Sequence, residues 1–136
     1  MILQVGVKVL LKNSKGKFLL VRRNPKKYPD VGAVWDVVGG RIDPGSSLFE
    51  NLKREVKEEV GLNLNSEITL VGAQDILLTD KHVVRLTYIG SIEGEPVIDE
   101  ESTEAKWFSG EEIQSLKQEE LDKYFKRLLD DYLIIL

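Results

Sequence analysis

Three glutamates in the stretch REVKEEVGL (residues 54–62) are the side chains best suited to chemistry. Glu55, Glu58 and Glu59 fall within little more than one helical turn. Like charges spaced three and four residues apart cost about 0.2–0.5 kcal/mol per pair when exposed, and more where water is partly excluded. A divalent cation would remove this repulsion, since Mg²⁺ binds carboxylate and carbonyl oxygens. The competing interpretation is a solvated charged face, and the helix alone does not decide between the two.

The helix that carries these glutamates is predicted over residues 47–60. Ser47 followed by Glu50 forms a capping box at its start, and Gly61 is typical of a helix end. The apolar side chains form one arc that should face the core: Leu48, Phe49, Leu52, Val56 and Val60. The glutamates border that arc, and a Gly39-Gly40 bend before the helix would expose carbonyl oxygens nearby. This combination favours a metal site.

Residues 40–62, GRIDPGSSLFENLKREVKEEVGL, resemble the Nudix box of the Nudix (MutT-like) hydrolase family. That pattern is a glycine, five residues, a glutamate, seven residues, and then Arg-Glu-apolar-x-Glu-Glu-x-Gly-apolar. The positions in register are Gly40, Arg54, Glu55, Val56, Glu58, Glu59, Gly61 and Leu62. Two positions depart from the family, because Ser46 replaces the first glutamate and Val38 replaces a common proline. The loss of that carboxylate predicts one weaker metal site or lower activity.

The resemblance implies an α/β fold, a Nudix-type α/β/α sandwich with a mixed β-sheet. The box would form a loop–helix–loop that holds Mg²⁺ or Mn²⁺. Family members cleave a nucleoside diphosphate linked to another group, with water attacking phosphorus. The metal would polarise the phosphoryl oxygens and lower the pKa of a bound water, and a carboxylate would accept the proton. The expected partner is therefore a small nucleotide or related diphosphate.

Carried over by position, the resemblance implies that Glu58 and Glu59 bind the metal and that Gly39 offers its carbonyl oxygen. Glu55 would be a further ligand or the general base, because family members differ on this point. Arg54 would hold a glutamate in orientation rather than touch substrate. The residues expected to act in catalysis are therefore Glu55, Glu59 and Arg54.

Two further residues belong to the predicted site. In the family, an acidic residue from the loop before KWF often completes the metal site. The candidates here are Glu100, Glu101 and Glu104. Glu101 is preferred for its distance from Trp107. Arg23 ends the second predicted strand and is expected to contact a phosphate or base of the substrate, although a surface pair with Arg22 is nearly as good an interpretation.

Length and composition indicate a single cytoplasmic domain over residues 1–136. The 136 residues suffice for one hydrophobic core. A formal charge of −4 argues against binding of nucleic-acid polymers, which requires a basic surface. Cysteine is absent, no apolar run reaches membrane-spanning length, and MILQVGVKVLLKN does not resemble a secretory signal. We therefore expect neither a membrane nor a nucleic-acid partner.

Alternation and turn residues predict a mixed sheet with helices packed on it. The predicted strands are residues 2–12, 18–21, 34–38, 68–71, 75–79 and 83–89. The other predicted segments are a loop at 24–33, irregular chain at 92–106 that ends at a strand-like KWF, a short helix after Ser109 and a longer helix at 119–133.

Other hypotheses remain open. A nucleotide-binding sensor that has lost catalysis is suggested by Ser46 but opposed by the three retained glutamates. A plain structural domain would show no effect of Mg²⁺ on stability. The sequence lacks the marks of ADP-ribose, diadenosine polyphosphate and NADH hydrolases, which leaves a broad nucleotide hydrolase. The apolar end YLIIL (132–136) is expected in the core, with a homodimer contact as the alternative.

Overall fold

The computed structural model describes residues 1–30 and 32–136, which form one seven-stranded sheet with helices on both faces. In chain order the elements are β1 (Ile2–Lys12), β2 (Phe18–Arg23), β3 (Trp35–Asp36), β4 (Val38–Arg41), α1 (Leu48–Val60), β5 (Thr69–Leu77), β6 (Lys81–Ser91), β7 (Ser102–Phe108), α2 (Gly110–Gln114), a 3-10 turn (Gln118–Glu120) and α3 (Lys123–Asp130).

Strand β1 is the centre of the sheet because it pairs along both edges. One edge pairs in parallel with β6 over the whole length of β1. The other edge is shared by two antiparallel strands, since β4 pairs with Gly6–Val9 and β2 pairs with Leu11 and Lys12. Strand β5 pairs with the outer edge of β6, and both β3 and β7 pair with β2. The sheet is therefore mixed, as predicted.

Helix α1 packs on one face of the sheet through its apolar arc. Leu52, Val56 and Val60 are fully buried, and they share a core cluster with Val7 and Val9 of β1. Burying a side chain of this size contributes about 1.5–3 kcal/mol relative to leaving it exposed. This contact fixes the rotation of α1, and with it the direction in which the glutamates point.

Helix α3 packs on the opposite face. Side chains alternate along a strand, so Leu10 of β1 points away from α1 and joins Leu20, Trp35, Phe125 and Leu128 in a second core cluster. Because α1 and α3 cover opposite faces, the molecule has the three layers of an α/β/α sandwich. The fold class expected from the sequence is confirmed.

The ends of α1 are set by the residues that the sequence indicates. Ser47 Oγ accepts a hydrogen bond from the Glu50 N–H at 3.1 Å, and Gly61 ends the helix in the left-handed region, with φ 70°. Buried Asn51 holds the preceding loop by donating to the Ser47 carbonyl oxygen at 2.8 Å. The core prediction is wrong for Leu48, which is 40% exposed because it lies in the first turn beside an exposed loop.

Two predictions before and after α1 need correction. The predicted strand at 34–38 is two strands, because β3 pairs with β2 whereas β4 pairs with β1 and continues through Gly39-Gly40. The segment 92–106 is irregular only in its first part, because β7 begins at Ser102 and pairs with β2.

The last third of the chain also differs from prediction. The predicted strands at 68–71 and 75–79 are one strand, β5, because a bulge lets its pairing with β6 continue. The predicted helix at 119–133 is shorter, since the Asp122 carboxylate caps α3 by accepting from the N–H groups of Tyr124 and Phe125 at 3.1 and 3.0 Å. Within the described part of the chain, no helix is long and apolar enough to cross a membrane.

Candidate active site

Two consecutive glycines bring β4 close to both β1 and α1. Gly39 has φ 144°, and a Cβ there would collide with the Val7 carbonyl oxygen. A Cβ on Gly40 would lie 2.6 Å from Glu55 Oε2. The bend therefore allows a carboxylate of α1 to rest directly on the strand backbone. We call Glu55, Glu58 and Glu59, together with Gly39 and Gly40, the glutamate site.

Glu59 is the buried member of the glutamate site. The residue is 7% exposed, and its Oε2 accepts a hydrogen bond from the Gly39 N–H at 3.1 Å. Burial raises the pKa of Glu59 to about 7; the charges of Asp36 and Glu55 act in the same direction, whereas Lys8 and the Gly39 N–H oppose the shift. A carboxyl group with this pKa takes up and releases a proton near neutral pH.

Glu55 and Glu58 are progressively more exposed than Glu59. The Glu55 side chain is 13% exposed, and its Oε1 accepts from Arg54 Nη1 at 3.0 Å. Burial raises the pKa of Glu55, and the guanidinium of Arg54 opposes that shift. The Glu58 side chain is 57% exposed, and its Oε2 lies 3.3 Å from the same Nη1. One face of α1 thus carries carboxylates at three depths, from buried to exposed.

Arg54 holds two of these carboxylates and the neighbouring loop. Its guanidinium contacts Glu55, Glu58, Asp43 at 3.4 Å, Asn51 Oδ1 at 3.1 Å and the Arg41 carbonyl oxygen at 3.2 Å. A guanidinium engaged on this many sides fixes the orientation of the carboxylates around it. The orienting role of Arg54 stays a prediction.

The glutamate site has the right donor atoms for Mg²⁺ but is not a finished cage. Within residues 1–30 and 32–136, no three acidic, histidine or cysteine side chains already converge on one point. Glu58 is directed to Arg54 and Glu59 to the Gly39 N–H. Mg²⁺ nevertheless binds through one or two carboxylates and keeps several waters, and a cation would relieve the crowding of negative charge. The residues present therefore fit a hard divalent ion.

A buried group of charges next to the glutamate site was missed by sequence reasoning. Asp36, which is 1% exposed, lies 3.2 Å from Lys8 Nζ, 2.6 Å from Arg23 Nη2 and 3.0 Å from Arg85 Nη2, and Arg85 also contacts Asp122 at 3.1 Å. Burial alone would raise the pKa of Asp36, but these three cations hold it well below its usual value. We call these five residues the ion cluster.

The sequence contains one signal for the ion cluster. Asp36 is a lone acid inside the apolar run VWDVV, and a charge in such a run must find partners if the run is buried. Lys8 and Arg85 gave no such signal, because a charge that alternates with apolar residues is typical of the solvent face of a strand. Here helix α3 covers that face, and Lys8 and Arg85 are 8% and 4% exposed.

Arg23, the predicted substrate ligand, is the most exposed member of the ion cluster. Its side chain is 23% exposed, and its guanidinium stands 5.4 Å from the ring centre of Tyr28. Burial lowers the pKa of Arg23, but the Asp36 carboxylate outweighs this and raises it. Its Nε is buried and has no hydrogen-bond partner among the described protein atoms.

Glu101, the predicted further ligand, lies in the loop before β7 and is half-buried. Its N–H donates to Asp99 Oδ1 at 3.0 Å, and its carbonyl oxygen accepts from the Asn24 N–H at 3.0 Å. The pKa of Glu55 is raised chiefly by burial, and the charge of Glu101 adds to that shift. Glu101 is thus near enough to the glutamate site to be felt there electrostatically.

A cavity of about 720 Å³ lies at the far end of α1. It is lined by the β1–β2 turn, the segment after α1 and the end of β6, including Asn13, Gly61, Asn65 and Glu93. None of the three glutamates belongs to its lining residues. Because the reactive groups lie elsewhere, we place the candidate active site at the glutamates and not at this cavity.

Comparison with known proteins gives a consistent result over most of the chain. The family model described as "NUDIX domain" matches residues 2–129. A Bacillus subtilis (strain 168) protein with the provisional name 8-oxo-dGTP diphosphatase is 43% identical over 58 residues, which is 43% of this chain and 35% of that protein. The human 8-oxo-dGDP phosphatase NUDT18 is 33% identical over 79 residues, which is 54% of this chain and 23% of that protein.

Similarity to a solved structure extends over the whole fold. The MutT protein from Methanosarcina mazei Go1 is 30% identical, with a TM-score of 0.83, and the match covers 96% of this chain and 93% of that chain. The two curated relatives, in contrast, are matched over only about a third and a quarter of their own lengths.

Proposed function

Because the chain belongs to the Nudix hydrolase family, we propose that it hydrolyses a diphosphate linkage in a nucleoside diphosphate derivative or a (deoxy)nucleoside triphosphate, with Mg²⁺ or Mn²⁺ as cofactor. Nudix hydrolases generally require a divalent metal. The observation that carries the proposal is the glutamate site itself. Three carboxylates at graded depth lie beside a Gly-Gly bend, and a single arginine orients two of them.

Glu58 and Glu59 are the proposed metal-binding carboxylates, and Glu101 is a further candidate from the facing loop. When bound, a divalent ion would shield the negative charge of the phosphates and polarise a phosphoryl oxygen. The protein's own contribution is to hold the carboxylates in place. Arg54 fixes Glu55 and Glu58, and the Gly39 N–H fixes Glu59.

Glu55 is the proposed general base, which accepts the proton of the attacking water. Its carboxylate is more exposed than that of Glu59, it rests against Gly40, and Arg54 holds one of its oxygens. Burial raises the pKa of Glu55, and a raised pKa makes a carboxylate a better proton acceptor. The raised pKa is shared with Glu59, so the choice rests on position: Glu55 is assigned to the proton because its carboxylate is the more exposed and is held by Arg54, and buried Glu59 is assigned to the metal.

Nucleotides that contain oxidised guanine are the first substrates to test. The names of the two curated relatives specify 8-oxo-dGTP and 8-oxo-dGDP. Arg23 is the proposed contact to a phosphate or base, supported by its unpaired Nε and its partly exposed guanidinium beside the Tyr28 ring.

The second candidate function is a nucleotide-binding sensor with little catalysis. Ser46 occupies the place of a box glutamate, and it is exposed in the loop before α1. This reading predicts nucleotide binding without release of phosphate, pyrophosphate or nucleoside monophosphate.

A turnover assay with a nucleotide panel and Mg²⁺ tests the proposal. Wild type is compared with Glu55→Gln, Glu59→Gln and the control Glu50→Gln, which alters an exposed glutamate on the same helix. We expect both site variants to fold and to lose roughly 10²–10⁴-fold in turnover, while the control keeps its activity. Equal turnover by all four proteins would refute the site assignment, and binding without turnover in wild type would favour the sensor.

A further inference from the structure

The ammonium group of Lys8 occupies a cage of oxygen atoms at the edge of the glutamate site. Lys8 Nζ lies 3.2 Å from the Val37 carbonyl oxygen, 3.2 Å from the Gly39 carbonyl oxygen and 3.2 Å from Asp36 Oδ2. An ammonium group has three donors; two of those of Lys8 are hydrogen-bonded to carbonyl oxygens, and the Asp36 carboxylate pairs with its charge. The residue is only 8% exposed. One carboxylate and two carbonyl oxygens are also the kind of ligand set that hard cations select.

The Gly39 carbonyl oxygen is the atom shared by this cage and the glutamate site. Strand β4 pairs Gly39 with Lys8 of β1, so the two residues are neighbours through the backbone as well as through the side chain. The N–H of Gly39 donates to Glu59, whereas its carbonyl oxygen accepts from Lys8. A divalent ion on this carbonyl oxygen would have to lie beside a buried ammonium group. Like charges repel strongly where water is excluded.

We propose that Lys8 supplies the cation for the Gly39 carbonyl oxygen, so that this chain holds its divalent ion through glutamate carboxylates without that backbone ligand. The inference rests on the proposed function for the presence of a divalent ion. It changes the ligand set that the family resemblance implies, because the resemblance assigns the Gly39 carbonyl oxygen to the metal. Lys8 is then a positioning residue, whose ammonium group donates to the Gly39 carbonyl oxygen at the edge of the glutamate site.

Carbon-13 NMR of the wild-type protein tests the inference without any substitution. The carboxyl resonances of Glu58 and Glu59 and the carbonyl resonance of Gly39 are followed while Mg²⁺ is added. We expect the carboxyl resonances to move with saturation and the Gly39 carbonyl resonance to stay in place. A Gly39 carbonyl resonance that moves together with the carboxyl resonances would overturn the inference and leave the proposed function standing. Carboxyl resonances that ignore Mg²⁺ would instead contradict the metal site of the proposed function.

A substitution of Lys8 gives a second, independent test of the inference. Lys8→Met removes the charge and frees the Gly39 carbonyl oxygen, while Asp36 keeps Arg23 and Arg85 as partners. The control Lys12→Met removes an exposed charge from the same strand. Binding of Mn²⁺ is measured by electron paramagnetic resonance without substrate, at the same neutral pH for all proteins, because burial lowers the pKa of Lys8 and a higher pH would remove the charge under test.

We expect Lys8→Met to bind Mn²⁺ roughly fivefold more tightly or better, because a repulsion at close range is lost, and Lys12→Met to match wild type. Equal or weaker Mn²⁺ binding by a folded Lys8→Met would overturn the inference. That result would mean that Lys8 only stabilises the strands around it.

Discussion

The glutamate site and the ion cluster are adjacent groups of charge that are balanced in different ways. In the ion cluster, Asp36 meets three cationic side chains within 3.2 Å. In the glutamate site, Glu55 and Glu58 share the guanidinium of Arg54, and the Glu59 carboxylate has one hydrogen-bond donor among the described residues, the Gly39 N–H. The protein neutralises the first group by itself, whereas the second retains negative charge that a cation from solution can neutralise.

The same contrast is seen in the pKa values of two buried carboxylates, one in each region. Asp36 and Glu59 are 1% and 7% exposed, so burial acts on both. The pKa of Asp36 nevertheless falls, because Arg85, Lys8 and Arg23 outweigh burial, whereas burial raises the pKa of Glu59 to about 7. The partners around a buried carboxylate, rather than its depth, decide whether it is structural or ready to exchange a proton or bind a metal.

Removal of the central carboxylate of the ion cluster should have the largest effect on stability. Asp36→Asn leaves the buried cations Lys8 and Arg85, and the partly exposed Arg23, with one acceptor fewer, and we expect a loss on the order of 3–5 kcal/mol. Urea unfolding at pH 7 measures the change. The control is Asp43→Asn, whose side chain is 72% exposed beside Arg54, and which should cost less than about 1 kcal/mol. Similar losses in the free energy of unfolding of both variants would show that the ion cluster contributes no more to stability than an exposed ion pair.

The two regions should respond to pH in opposite directions. Glu59 has a raised pKa, so the folded protein keeps a proton that the unfolded chain has already released. Stability should therefore fall by on the order of 3 kcal/mol as pH rises from the ordinary glutamate range to about 7. Asp36 has a lowered pKa, so its contribution is present above the ordinary aspartate range and is lost as pH falls below it.

Unfolding of wild type and Glu59→Gln between pH 4 and pH 8, without divalent metal, measures the Glu59 effect. The variant cannot lose the proton, so we expect it to be more stable than wild type at pH 8 and to lack the decline between pH 4.5 and 7. If the stability of the two proteins changed with pH in parallel, the pKa of Glu59 would have to lie in the usual range for glutamate.

The smallest expected change in stability comes from Gly40→Ala, which should act on activity instead. Its Cβ would lie 2.6 Å from Glu55 Oε2 and would push that carboxylate off the strand. We expect turnover to fall roughly 10²-fold while stability changes by only about 1 kcal/mol. In the control Gly6→Ala, the nearest atom to the new Cβ is 3.6 Å away, so it should keep full turnover. If Gly40→Ala kept full turnover, Glu55 would have no role in the reaction.

The glutamate site was largely predictable, because its chemistry lies within one continuous stretch. The spacing of Glu55, Glu58 and Glu59, and the Gly61 cap, are local properties of a helix, and the structure has that helix where it was expected. The different depths of the three glutamates were harder to predict. They depend on how α1 meets the Gly-Gly bend of β4, which is a contact between separate elements.

The ion cluster was not predictable in the same way, because its members come from β1, β2, β3, β6 and the cap of α3. The sequence treats Lys8 as part of a solvent face. That reading fails only because α3 covers this face of the sheet, and the length of α3 was itself overestimated. The cap at Asp122, which both starts the helix and binds Arg85, could not be recognised from spacing alone.

Calorimetric titration of Mn²⁺ into wild type, Glu59→Gln and the control Glu50→Gln at pH 7 shows whether the glutamate site binds a divalent ion through Glu59. Two buffers with different ionisation enthalpies separate the heat of metal binding from the protons released. We predict that wild type and Glu50→Gln bind Mn²⁺ and release part of a proton, because Glu59 must ionise, and that Glu59→Gln binds more weakly with no release. Absence of binding to wild type, or identical binding and proton release in all three proteins, would show that Glu59 does not bind the metal.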